Sequence, residues 1–431
     1  MAPSSSGRRW GGAGRRWGVA GALRLRMGGA RGPPGGPGAP GPVRGVLLVA
    51  AGTVAAAQLA QAPLLARAVA SRGGAAGDVG ALQSLGGASQ LVGGLWAGTL
   101  ADRFGGGAVL VVSLIGGAAS ALLSTGAPLW ALYVSKGLAI FQQGMLAARA
   151  AAVQRWDSAG EAEEGRAARL GMLGAAFGAG FVVGPAVGAA FGQEDPNRVA
   201  LGAMFACLAA AALVLAAVRS PGGRGAVGRA VSQATARERF QRVMQAPGAW
   251  PLLGQKLVGD LCMAVFVGTF SLHLESRYGR GPRQAGYVLS YVGALSCVAQ
   301  GGGVRALERR MGRDKGARAS VALMAVAFAA LAVLPPSFAI YLACMAPLSL
   351  GSGFFSALNT ARFAALVGPA EKGSALAVES AASAAARAAG SGLGVVLQRY
   401  LGDAGVHAAC AIPLFALMAL TAPPGQERKR A

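Results

Sequence analysis

Residues 199–218 read VALGAMFACLAAAALVLAAV, twenty residues without a charge or a proline. The segment that follows, 219–249, holds six arginines and one acid, Glu238. A helix of about twenty residues covers roughly 30 Å, the thickness of the hydrocarbon layer of a bilayer. Its backbone groups bond to one another, so it can lie in lipid without leaving an amide unsatisfied. An apolar stretch ending in a cationic turn is therefore read as a membrane span leaving the bilayer.

The same alternation runs through the chain. Hydrophobic residues make up 54% of it and charged ones 13%, against about a quarter charged in a soluble domain. Twelve apolar spans fall between residues 45 and 421, clearest at 107–125, 199–218, 317–335 and 337–359. The expected organisation is a basic segment at 1–44, six spans in 45–218, a basic loop at 219–249, six spans in 250–421 and a tail at 422–431.

A formal charge of +23 is also the mark of nucleic-acid binders. Here the cations have another explanation. With the N-terminus in the cytoplasm, 30 of the 40 Lys and Arg fall on the inner side of this threading and 7 on the outer side, which is the bias of multi-pass proteins. It places both termini in the cytoplasm and makes the span count even. Nucleic acid is not expected as a partner. Residues 1–44 hold eight arginines, and the first acid of the chain is Asp78. That composition fits a cytoplasmic tail or an organelle transit peptide, so the membrane itself stays open. Within 219–249, Ala236 to Gln245 can form a short basic helix on anionic lipid.

Enzyme and cofactor signatures are absent. The chain has no GxxxxGK[ST] phosphate loop and no HExxH, and Gly178-x-Gly180 followed by Gly184 has one residue too many for GxGxxG. The five cysteines lie in apolar spans with no CxxC, and neither His273 nor His407 has a ligand partner at helical spacing. No cofactor, metal site or disulfide framework is expected, nor an enzyme.

The two halves resemble each other. Leu100-Ala101-Asp102-Arg103-Phe104-Gly105 aligns with Leu307-Glu308-Arg309-Arg310-Met311-Gly312 at an offset of 207. Gly184-Pro185-Ala186-Val187-Gly188 aligns with Gly390-Ser391-Gly392-Leu393-Gly394 at 206. Six spans repeated in one orientation form two parallel bundles with a solute path between them.

Gly98-Thr99-Leu100-Ala101-Asp102-Arg103-Phe104-Gly105 resembles the cytoplasmic loop signature of the major facilitator superfamily. The resemblance implies that Asp102 locks the inner gate, with Arg149 as its partner; Gly106 and Gly107 stand where the family continues with basic residues. Residues 174–188, GAAFGAGFVVGPAVG, are similar to the fifth-helix signature of the drug:proton antiporter branch. That likeness implies that the stripe of Gly180, Gly184, Pro185 and Gly188 packs against the eighth span, which offers Gly286 and Gly293. Gln284-Ala285-Gly286-Tyr287, Gln300-Gly301 and Arg169-Leu170-Gly171 resemble the organic-cation-transporter-like members of solute carrier family 22, neighbours of the tetracycline exporters; Ser391 stands where that branch has proline. The expectation is an all-α membrane protein of twelve transmembrane helices in two parallel six-helix bundles. It would act as a monomer and exchange a drug-like or organic-cation solute for protons. The rival readings are a uniporter, or a transporter fold retained as a receptor or scaffold.

Five ionisable residues fall inside spans: Lys136, Lys256, Asp260, Glu379 and Arg387. Each costs several kcal/mol in lipid and is a functional candidate for that reason. Lys256 and Asp260 are four apart and share a helix face. Proton antiport needs a buried carboxylate for which proton and substrate compete. Glu379 is the first candidate and Asp260 the second, with salt bridges between helices as the alternative for all of them. Three cations would equally suit an anionic solute.

Overall fold

A computed structural model describes residues 41–126, 128–158, 166–192, 195–219, 236–367 and 372–420, and among these no strand occurs. Residues 1–40 and 220–235 lie outside the described residues.

In the first half α1 (Gly41–Ala60) continues through a 3-10 turn (Ala62–Leu64) into α2 (Leu65–Ala70). Then come α3 (Ala76–Phe104), α4 (Gly106–Leu123), α5 (Leu129–Gly137), α6 (Gly144–Ser158), α7 (Arg166–Phe191) and α8 (Pro196–Arg219). The connecting helix α9 (Ala236–Gln245) precedes α10 (Ala249–Tyr278), α11 (Pro282–Val298), α12 (Val304–Val333), α13 (Phe338–Ala365) and α14 (Lys372–Leu420). Two of these are each two helices joined at a kink: α12 breaks at Gly312 and α14 at Gly402, both with positive φ. One large apolar core is built from residues 47–214 and another from residues 262–414.

Eight helical segments are long and apolar enough to cross a membrane. The helices α3, α5, α6 and α11 are not among them. Helices α5, α6 and α11 are short, at 9, 15 and 17 residues, because a 3-10 turn follows α5 and a π-helical turn follows α11. Helix α3 has 29 residues but mixes glycine, glutamine and Asp78 into its length.

The repeat is written into the backbone. Gly105 (φ 86°) and Gly312 (φ 74°) make the same left-handed break after equivalent helices, and Gly73 (φ 75°) and Gly279 (φ 60°) do so 206 residues apart. The crossings between the halves repeat as well. Helix α3 meets α14 where a β-carbon on Gly87 would stand 2.6 Å from the Ala388 nitrogen. Helix α11 meets α7 where one on Gly293 would stand 2.7 Å from the Phe181 carbonyl oxygen. Gly87 and Gly293 are 206 apart in sequence. So are Ser84 and Ser290, whose hydroxyls bond the facing backbone: Ser84 Oγ accepts from Gly392 N at 2.9 Å, and Ser290 Oγ donates to Val182 O at 2.8 Å.

Two expectations change. The stripe Gly180, Gly184 and Gly188 packs on α1, not on the eighth span: a β-carbon at Gly184 would meet the Ala56 carbonyl oxygen at 2.6 Å, and Gly180 and Gly188 face Gly52 and Ala60. Residues four apart share one face of α7. The face towards α11 is a different one, carrying Phe181, Pro185 and Ala189. Helix α9 forms as expected, yet it turns Val243 and Met244 into a protein cluster with Leu252, Phe363, Ala375 and Val378 rather than offering them to lipid.

Because the two crossings are made of glycine against backbone, enlarging either glycine forces the halves apart. Gly87→Leu and Gly293→Leu are expected each to cost about 1–3 kcal/mol by overpacking, measured as a lower Tm of the purified protein in detergent. An exposed glycine with no atom near its β-position, such as Gly254, should tolerate alanine without that loss.

Candidate functional site

A cavity of about 530 Å³ lies between the halves. From the first half its wall takes Gln58 of α1, Gln90 of α3 and Lys136 of α5; from the second, Lys256 and Asp260 of α10 and Arg387 of α14. Small side chains at Gly86, Gly87, Ser120, Ser356 and Ser383 leave the space open.

The charged residues form one connected group. Lys256 is buried, 4% exposed. Its Nζ stands 3.3 Å from Asp260 Oδ1 one helical turn along α10, and 3.6 Å from Glu379 Oε1 across on α14. It also donates to Ser356 Oγ at 3.0 Å. Each carboxylate has a second donor: Thr360 Oγ1 to Glu379, and Ser383 Oγ to Asp260. A cation in low dielectric is held this way because no water replaces the lost hydration, so two carboxylates and a hydroxyl must. The two candidates differ in position. Asp260 is on the cavity wall, whereas Glu379, 4% exposed, stands behind Lys256 and is not part of the lining.

Arg387 Nη2 donates to Gln90 Oε1 of the first half at 3.4 Å. Lys136 lies beside Gly86 of α3, on the other flank of the same helical turn. Gln58 Nε2 donates to Gln142 Oε1 at 3.0 Å, and Gln143 Nε2 to Gln90 O at 2.9 Å, so the glutamines of α1, α3 and the α5–α6 break support one another. Asn359 is fully buried, donating to Leu252 O, and Gln300 is exposed in a π-helical turn; neither lines the cavity.

The repeat makes the distribution of charge informative. The stretch Leu173–Phe181 of α7 matches Glu379–Arg387 of α14 and carries no charge, and α1 carries none from Val46 to Ala60. All of Lys256, Asp260, Glu379 and Arg387 therefore belong to the second half alone.

Of the proposed gate, Arg149 is exposed on α6. The side chains of Gly98, Asp102 and Arg103 lie outside the described residues. Gly105 ends α3 at positive φ, and a β-carbon on Gly106 would strike the Ala150–Ala151 backbone. That close approach of α6 explains why no larger residue stands at 106.

One polar group was not legible in the sequence. His273 Nδ1 and Asp403 Oδ1 are 2.9 Å apart, and His273 Nε2 and His407 Nε2 3.5 Å apart, inside the second apolar core. Gln398 donates to Asp403 at 2.7 Å. With 134 residues between the histidines, no local spacing signals the pair. It lies off the cavity wall and ties α10 to the part of α14 beyond Gly402.

The family model described as Major Facilitator Superfamily matches residues 46–390. The class G tetracycline resistance protein of Vibrio anguillarum is 36% identical over 155 residues, covering 35% of this chain and 38% of that one. Human solute carrier family 67 member A1 is 29% identical over 279 residues, covering 60% and 63%. In both cases the match spans less than two thirds of the relative's length. Among solved structures, the human organic anion transporter MFSD10 (TETRAN) superposes with a TM-score of 0.67 at 18% identity, covering 88% of this chain and 99% of that one. The nucleoside transporter NupG gives 0.67 at 14%, covering 88% and 98%. At such identities the likeness is one of fold. The profile matched over most of the chain, together with an all-helical fold rich in apolar spans, shows that this protein is a multi-pass membrane protein belonging to the Major Facilitator Superfamily.

Proposed function

We propose that the chain is a secondary active transporter that exchanges a small drug-like organic solute for protons by alternating access. In this reading twelve spans form two parallel six-helix bundles: α11 runs through the π-helical turn Ala299–Gly303 into the part of α12 before Gly312 as one span, the rest of α12 is the next, and α14 contributes two across Gly402. The bundles rock about the glycine crossings of α3 on α14 and α7 on α11.

The observation that carries the proposal is the Lys256–Asp260–Glu379 group at the cavity wall. One ammonium shared by two carboxylates is a proton-sensitive latch. When Asp260 or Glu379 takes a proton, Lys256 loses half of its compensation and attracts the other carboxylate, or a solute, more strongly. Asp260 is the carboxylate that meets cavity water and solute. Glu379 is the partner that holds Lys256 when Asp260 is neutral. The tetracycline resistance proteins among the relatives support a drug-like solute. The organic-cation expectation finds less support, because three cations and one carboxylate face the cavity.

Asp260→Asn and Glu379→Gln keep the size of each side chain and remove its proton site. In proteoliposomes each is expected to lower solute flux driven by an imposed pH gradient at least tenfold while leaving solute–solute exchange in place. Unchanged pH-driven flux in both variants overturns the coupling. Flux indifferent to pH in the unmodified protein would identify a uniporter, and no flux over a broad panel a receptor or scaffold.

Lys256→Met leaves Asp260 and Glu379 facing each other without a cation. Breaking a buried pair from one side costs about 3–5 kcal/mol, read as a lower Tm in detergent. Lys256→Met combined with Asp260→Asn and Glu379→Gln is expected to recover that Tm and still not transport.

In the proposed threading, which the charge bias of the loops supports, both termini and residues 219–249 are cytoplasmic. Gly225→Cys is expected to react with an impermeant maleimide only from the cytoplasmic side, and Gly281→Cys only from the other.

A further inference from the structure

The cavity wall is not neutral. Lys136, Lys256 and Arg387 face it with Asp260 as the sole carboxylate among the described lining residues. Lys256 is accounted for by Asp260 and Glu379. Lys136 has no carboxylate within ion-pair distance among the described residues, and the hydrogen-bond partner of Arg387 is the neutral amide of Gln90. Arg387 is exposed to the cavity with Asp260 as the carboxylate that acts on it, and Lys136 is half-buried, so the wall carries an excess cation. The fold does not need one there, since Phe181 fills the equivalent place on α7 with no charge.

The two cations line one cavity though 251 residues apart in sequence. Lys136 Cδ lies 3.8 Å from the β-position of Gly86, and the Arg387–Ala388 backbone presses on Gly87, the next residue of α3. They flank one turn of that helix, one from each half. The missing side chain at Gly86 leaves the space in front of it to the cavity. A guanidinium offers a planar pair of donors to an oxyanion, and an ammonium beside it completes the charge.

Resting on the transport reading above, we propose that the solute is an organic anion whose acidic group is bound between Lys136 and Arg387, with the Gln90 amide as an additional donor. Lys256 with its two carboxylates is the proton side of the site, and Lys136 with Arg387 the solute side. The anion bridges the two halves by binding a cation of each, so the loaded cavity closes without the repulsion that the empty one carries.

The test uses three probes on one naphthalene ring that differ in charge: anionic 2-naphthalenesulfonate, neutral 2-naphthalenesulfonamide and cationic 2-naphthyltrimethylammonium. Uptake of each into proteoliposomes of the full chain is measured under a pH gradient, together with the shift each produces in Tm. The sulfonate is expected to be moved at least tenfold faster than the other two and to raise the Tm. Lys136→Gln and Arg387→Gln should each weaken its effect ten- to a hundredfold, with Arg387→Lys recovering part of it. The double reversal Lys136→Glu with Arg387→Glu should turn the preference towards the ammonium probe, which a merely structural role of the two residues would not do. Uptake of the ammonium probe without the sulfonate by the unmodified protein overturns the anion inference and leaves transport standing. Failure of all three probes to be moved or to shift the Tm overturns both.

Discussion

A lysine ammonium taken out of water loses its hydration and regains it only from oxygen atoms of the protein, and at Lys256 three such atoms converge. They come from α10, α13 and α14, so satisfying one charge fixes the mutual positions of three helices. The carboxylates are fixed in turn by hydroxyls, Thr360 on α13 for Glu379 and Ser383 on α14 for Asp260. In water such a network would be worth little. In a membrane core each member is costly to leave alone, and the arrangement is correspondingly exact about who stands next to whom.

Around that fixed group the scaffold is nearly symmetric. Equivalent glycines, Gly87 and Gly293, bring backbone against backbone at the two crossings, and equivalent serines, Ser84 and Ser290, add one hydrogen bond at each. Contacts of this kind hold helices close with little side-chain interlocking, which suits surfaces that must slide or tilt. The charges break the symmetry. Phe181 stands where the other half has Arg387, and an uncharged α1 stands where the other half has Lys256 and Asp260. The cavity between the two similar bundles is therefore uneven: the first half lines it with amides and Lys136, the second with Lys256, Asp260 and Arg387.

The apolar helices were largely legible along the chain. Segments such as 199–218 and 317–335 are recognisable because lipid demands an uninterrupted apolar length, and that demand is local. The helices around the cavity were less so: α3 mixes glycine and glutamine into its length, and α11 ends after 17 residues in a π-helical turn. The repeat was readable from short patches and reappears as matched positive-φ glycines at 105 and 312. The intrahelical neighbours Lys256 and Asp260 were readable from their spacing, since four residues return to one helix face. Helix α9 was readable as a helix, though the surface that covers it was not.

What the residues alone determined was therefore everything with a short sequence range: span length, the sidedness of loop cations, turns that need glycine, and the five ionisable residues that lipid would not tolerate without a reason. The rotation of each helix about its axis was left to the tertiary structure. That rotation decides that Gly184 meets α1 while Pro185 meets α11, that Asp260 faces the cavity while Glu379 stands behind Lys256, and that His273 finds His407. A turn of about 100° per residue separates these outcomes, and it is set by contacts between residues a hundred or more positions apart, which no local pattern in a chain so rich in alanine and glycine encodes.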